Sequence, residues 1–108
     1  METYKILGQQ APAAATEVVL YTVPASTQTV SSSITIVNRG AAIGSFRLSV
    51  SQGGGATTTK DYIYFDQNLA SRTTIIVVLG MTLAATDKVR VFASSANFSF
   101  NIFGTEIT

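Results

Sequence analysis

Apolar and polar residues alternate with a period of two along much of this chain, the signature of strands that bury one face. Around Ile34 the even positions Val30, Ile34 and Ile36 are apolar, while the odd positions Ser31, Ser33 and Thr35 carry hydroxyls. Phe46, Leu48 and Val50 alternate with Arg47, Ser49 and Ser51, and Val89, Val91 and Ala93 alternate with Lys88 and Arg90. Near the end Phe98, Phe100 and Ile102 alternate with Ser99 and Asn101. Each stretch predicts a strand with one face toward a core and the other toward water or a neighbour.

Elsewhere the pattern is less clean. Glu17 to Val23 is a β-rich run closed by Pro24. Lys60 to Leu69 carries Tyr62, Ile63, Tyr64 and Phe65 in succession, which puts Tyr62 and Tyr64 on one face and Ile63 and Phe65 on the other. Arg72 to Leu79 is rich in β-branched residues without interruption and predicts a strand covered on both sides. With a first strand around Tyr4 to Leu7 the total is about eight, spaced by Gly, Asn and Asp turn signals. No stretch of useful length has the helical period. The pattern predicts one domain over residues 1–108, an antiparallel β-sandwich or jelly roll. Ala11 to Thr16 comes nearest to a helix, but Pro12 and its brevity make residues 9–16 a loop or an extended arm that reaches an adjacent subunit.

Composition changes this picture mainly through charge. Of the 108 residues 46% are hydrophobic, enough for a core, but only 12% are charged, against roughly 25% in an ordinary soluble domain. The 15 Thr and 11 Ser must supply most of the polar surface. Either the domain is simply a neutral β-protein, or copies of itself or partners cover much of its exterior. The net charge is +1, and Lys5, Arg39, Arg47, Lys60, Arg72, Lys88 and Arg90 are scattered, which argues against nucleic acid as a partner. The longest aliphatic run, Ile75 to Leu79, is far short of the ~20 residues that span a bilayer, so no membrane partner is expected. Glu2 and Lys5 followed by Gln9 and Gln10 do not resemble a secretory leader. The absence of cysteine fits folding in a reducing cytoplasm.

Candidate chemistry is sparse. Histidine, cysteine and tryptophan are absent, which removes the commonest general base, the commonest metal ligands and all thiol mechanisms. None of the six carboxylates, Glu2, Glu17, Asp61, Asp66, Asp87 and Glu106, is spaced to pair with another for acid–base work. Asp61 and Asp66 could share a loop with a divalent ion, but no Asp-x-Asp-x-Asp-Gly pattern surrounds them. Gly53-Gly54-Gly55 lacks the Lys and the helix of a phosphate loop and reads as a flexible hairpin tip. Asn97-Phe98-Ser99 matches a glycosylation acceptor by coincidence. No catalytic residue, metal site or cofactor is expected. The aromatic residues Tyr62, Tyr64, Phe92 and Phe103 fall where strands are covered on both sides within the domain, or where a subunit or partner interface lies. A sugar-binding platform is a third use for them.

Several segments carry a resemblance. Tyr4-Lys5-Ile6-Leu7-Gly8-Gln9 leads to Leu20-Tyr21-Thr22-Val23-Pro24-Ala25, then to Ile36-Val37-Asn38-Arg39-Gly40 and Phe46-Arg47-Leu48-Ser49-Val50. Lys60-Asp61-Tyr62-Ile63-Tyr64 precedes Leu83-Ala84-Ala85-Thr86-Asp87-Lys88-Val89-Arg90-Val91, and the chain closes with Phe98-Ser99-Phe100-Asn101-Ile102-Phe103-Gly104-Thr105-Glu106-Ile107. This order resembles small virion structural proteins of tailed bacteriophages over nearly the whole chain. The resemblance implies a non-enzymatic component of the virion, assembled in the bacterial host cytoplasm. It also implies a homo-oligomer, dimer or trimer, with phage capsid or tail proteins as partners. A capsid decoration (cement) protein bridging capsomers is the leading expectation. A tail, neck or fibre-associated protein, or a lectin-like host-surface module, is the alternative.

Overall fold

In a computed structural model, which describes all 108 residues, the alternating stretches form nine strands. They are β1 (Glu2–Gln10), β2 (Val18–Thr22), β3 (Gln28–Asn38), β4 (Gly44–Ser51), β5 (Tyr62–Leu69), β6 (Thr73–Val77), β7 (Met81–Leu83), β8 (Lys88–Ala93) and β9 (Phe98–Ile107). Two single 3-10 turns, Gln52–Gly54 and Thr59–Asp61, sit between β4 and β5.

The pairing is that of one long hairpin wound upon itself. β1 pairs with β9, β2 with β8, β3 with both β6 and β7, and β4 with β5, all antiparallel. Winding then brings β9 onto β3 and β8 onto β4. The first sheet has the order β1-β9-β3-β6, with β7 also on β3, and the second has β2-β8-β4-β5. β6 and β7 act as two pieces of one strand interrupted at Val78–Gly80, so the count of nine conceals an eight-position jelly roll. The expected sandwich is therefore the observed fold.

The core fills the space between the sheets. Phe46, Leu48, Val89, Val91 and Ala93 from the second sheet meet Ile34, Ile36, Phe98, Phe100 and Ile102 from the first, each essentially inaccessible to solvent. The Phe46 ring centroid lies 6.3 Å from both Phe98 and Phe100, in the tilted and edge-on arrangements that aromatic quadrupoles favour. These residues carry the cleanest alternation in the sequence. Gly8 is needed because its backbone presses on the Leu20 carbonyl, leaving no room for a Cβ.

Polar side-chain atoms buried inside the sandwich are all paired. The Tyr21 hydroxyl, from the second sheet, donates to Glu106 Oε2 at 2.6 Å and lies 2.8 Å from Thr29 Oγ1, both in the first sheet. Lys5 Nζ completes this clamp at 3.0 Å from Glu106 Oε1. Asn38 holds one corner, its Nδ2 donating to the carbonyls of Ala42 and Leu69 while its Oδ1 accepts from Gly40 N–H.

Bulges overturn two expectations, because one extra residue reverses the side on which all later residues point, and an edge position overturns a third. Ser32 is extra between the pairs Ser31–Gly104 and Ser33–Phe103, so Val30 faces outward while Thr29 and Ser31 are buried. Ile63 is extra between Leu48–Tyr64 and Ser49–Tyr62, so Tyr64 turns in against Phe46 at 5.4 Å and Tyr62 does not share its face. The stretch 72–79 is not covered on both sides. β6 ends the first sheet, with Ile76 and Val78 63% and 82% exposed.

Two further segments acquire definite places. Residues 9–16 lie against the domain: Gln9 and Gln10 close β1, Pro12 is buried, and Ala15 N–H donates to the Ala93 carbonyl. The triple glycine is fastened rather than a free tip. Arg90 donates to the Gly54 and Gly55 carbonyls, and Gly53 N–H, whose residue has φ 68°, donates to Asp87 Oδ1 at 2.7 Å.

Candidate functional site

Four of the six carboxylates, Asp61, Asp66, Asp87 and Glu106, are engaged in building the fold. Asp87 accepts from the N–H groups of Gly53 and Ala84. Asp61 accepts from Thr58 N–H at 2.9 Å and pairs with Lys60, contacts that hold its carboxyl below the ordinary carboxylate range. Asp66 pairs with Arg47, and Glu106 belongs to the clamp. Asp61 and Asp66 thus have separate partners, and no three residues capable of holding a metal come together. Concavities are shallow. A groove of about 320 Å³ runs beside Val30, Thr82 and Ile107 with no ionisable group on its walls. The surfaces worth considering are the two outer sheet faces.

On the second sheet, Arg47 of β4 stands between two rings, with its guanidinium carbon 4.3 Å from the Phe65 centroid and 4.4 Å from that of Phe92. Local structure explains this. Arg47 alone opposes Phe65 and Asp66, because the register passes from Phe46–Gln67 to Leu48–Tyr64. Asp66 takes a left-handed conformation, φ 52°, in this bulge. One bulge thus offers the guanidinium both a ring and a carboxylate, and Arg47 Nε donates to Asp66 Oδ1 at 2.7 Å. The ion pair is the main reason that the Arg47 pKa is raised. Tyr62 packs edge-on to Phe65 at 4.8 Å. Further along, Arg90 is committed to Ser51, Thr57 and the glycine turn. Cations and rings satisfy one another within this face.

The first sheet differs. Register places Glu2, Tyr4, Ile6 and Gln9 of β1 on its outer face. Beside them lie Ser99, Asn101, Phe103, Thr105 and Ile107 of β9 and Val30, Ser33, Thr35 and Val37 of β3. Thr74 and Ile76 of β6 and Thr82 of β7 complete the surface. Tyr4, Ile6, Val30, Ile76 and Ile107 are all more than a third exposed. Glu2, at one end, is hydrogen-bonded by the Tyr4 hydroxyl, whose pKa that contact raises. Arg39 reaches Ser99 at the opposite end. Between these ends lie only hydroxyls, amides and hydrocarbon.

The four aromatic residues singled out in the sequence do not form one surface. Tyr64 packs on the core, Tyr62 and Phe92 belong to the second sheet, and Phe103 is paired opposite Ile6 on the first. Sequence reasoning missed Ile6, Val30, Ile76 and Val78 as exposed apolar positions. Their signal was present only in part, since the bulge at Ser32 is not visible in the alternation.

No protein-family model and no curated protein matches this chain. Solved structures do. A chain in the structure of infectious bursal disease virus, Gt strain, superposes with a TM-score of 0.51 at 9% identity, over 97% of this chain and 31% of the other. A chain of the Gx strain gives 0.53 at 9% identity, over 98% and 30%. The protein spans about a third of the length of those viral chains. At such identity the likeness concerns the sandwich itself, and this chain shares its β-sandwich fold with a segment of those viral chains.

Proposed function

We propose that this protein is a structural component of a virus particle that acts by docking on neighbouring protein subunits. Within that class we assign it to capsid decoration in a tailed bacteriophage, bridging capsomers. The observation that carries the reading is the outer face of the first sheet, which is almost free of charge and studded with Tyr4, Ile6, Phe103, Val30 and Ile107. Such a face loses little by desolvation and gains by burial. The fold likeness to chains of a virus structure and the resemblance to phage virion proteins support the same reading. Many copies on a symmetric shell add their weak contacts through multivalency.

The test is co-sedimentation of the purified protein with capsid shells. Binding is expected, together with its loss in the double variant Ile6→Ser, Phe103→Ser. A protein that stays in the supernatant under all assembly conditions would refute the role. A tail or fibre-associated protein that grips host polysaccharide is the second reading. It is favoured by Tyr62, Phe65 and Phe92 beside Arg47 on the second sheet. Glycan binding lost in Phe65→Ala would support that second reading.

A further inference from the structure

A sandwich of two open sheets has four edges, and an exposed edge invites a foreign strand unless something blunts it. Three of the four carry such a device here. β1 has a bulge at Leu7 and the charges of Glu2 and Lys5. β2 has a bulge at Leu20, and the Gln10 amide donates to its Val19 carbonyl at 3.1 Å. β5 has two bulges and Asp66 in a left-handed conformation.

β6 has none of these. Its register with β3 runs unbroken from Thr73 to Val77, and no strand pairs with its other side. Thr73 to Leu79 contains no charge, no Gly and no Pro, the composition of segments that pair readily with their own copies. Thr74, Ile76 and Val78 are exposed along it. Natural sheets rarely leave such an edge bare, so its occupant belongs to the functional state.

We infer that the β6 edge binds the β6 edge of a second copy of this chain, antiparallel across a twofold axis, joining the two first sheets into one. Charge selects this partner and this direction. The charged residue nearest to the segment in sequence is Arg72, immediately before Thr73, while Arg39 just past the end of β3 is turned away toward Ser99 and Ala96 of the β8–β9 side. In an antiparallel pair centred on Ile75, Arg72 lies opposite Val78 of the other copy, and the two guanidiniums are about 20 Å apart along the strands, beyond the screening length of about 8 Å. In a parallel pair they would stand side by side. The uncharged strand brings no other like charges together, and a twofold contact closes on itself instead of propagating. The outer faces then merge, placing Ile76 of both copies in one continuous docking surface.

This inference rests on the assembling role proposed above for its meaning, but its test needs only the isolated protein. Sedimentation velocity is expected to show a dimer. Ile76→Lys should weaken self-association about tenfold or more, with an unchanged far-UV circular dichroism spectrum. Tyr4→Lys puts the same charge on the same face at the far edge and should remain dimeric. Because the chain lacks cysteine, a nitroxide on Thr74→Cys reports from one site, and dipolar broadening between copies is expected. A monomer, open-ended aggregation, absence of broadening, or dissociation by Tyr4→Lys but not by Ile76→Lys would each overturn the pairing. A monomer that still binds shells would spare the docking role, whereas a dimer that ignores shells would refute that role and leave the pairing intact.

Discussion

The outer faces of the two sheets are built from the same strand geometry and finished in opposite ways. On the second sheet a cation is held between two rings and fixed by a carboxylate, so groups that could reach outward are spent on one another. On the first sheet hydroxyls and aliphatic side chains stand with little to do, the ionic groups lying at its ends. A scarcity of charge in the whole composition is thus concentrated on one surface. The difference teaches where to look for a partner: the satisfied face stabilises the domain, and the unsatisfied one is available for contact.

The largest effect should come from removing what both faces rest on. Phe46→Ala empties the centre of the core and should cost about 3–5 kcal/mol in denaturant unfolding, abolishing the contrast by unfolding the domain. Next comes the clamp between the sheets. Tyr21→Phe deprives buried Glu106 of its shortest hydrogen bond and should cost about 1–3 kcal/mol.

That clamp also sets two pH limits. The Tyr21 hydroxyl and then Lys5 hold the Glu106 carboxyl below its ordinary value of 4.5. Its contribution is therefore complete above that pH and is lost as pH falls through the lowered folded-state value. Burial first, and Glu106 second, push the Tyr21 hydroxyl from 10.0 up to about 12. Its contribution is complete below pH 10.0 and is lost as pH rises toward 12. Melting curves across pH should show a plateau with shoulders at both ends, and Tyr21→Phe should remove the alkaline shoulder and shrink the acid one.

Smaller effects separate the faces themselves. Arg47→Ala should lower the melting temperature measurably, through lost ring contacts and a stranded Asp66, while shell binding persists. Ile6→Thr should leave stability within about 0.5 kcal/mol of the parent yet reduce shell binding. If Arg47→Ala abolished binding and Ile6→Thr did not, the two faces would exchange roles.

The sequence made the sandwich legible where alternation is unbroken, at Phe46 and Leu48, Val89 to Ala93, and Phe98 to Ile102. It misled wherever a bulge intervened, because the extra residues at Ser32 and Ile63 carry no mark of their own. Turns were only partly visible. Ala15, Ser26, Asp66, Arg72 and Thr86 adopt positive φ without being glycine, a conformation that propensity favours only at Asp66 among them. The run from Arg72 to Leu79 reads as a strand covered on both sides. Its composition states that a strand wants cover without stating whether that cover comes from the same chain. The candidate surface was obscure for the same reason, since Val30 reads as core until register places it.

The position of β9 has a consequence in time. It lies between β1 and β3 at the centre of the first sheet, although it is the last strand of the domain to be synthesised. Until residues 98–107 leave the ribosome, β1 has no partner to pair with and the neutral face does not exist as a surface. The non-local closure that makes such topologies slow to fold therefore also acts as a delay. A nascent chain does not display that face before its own fold is complete.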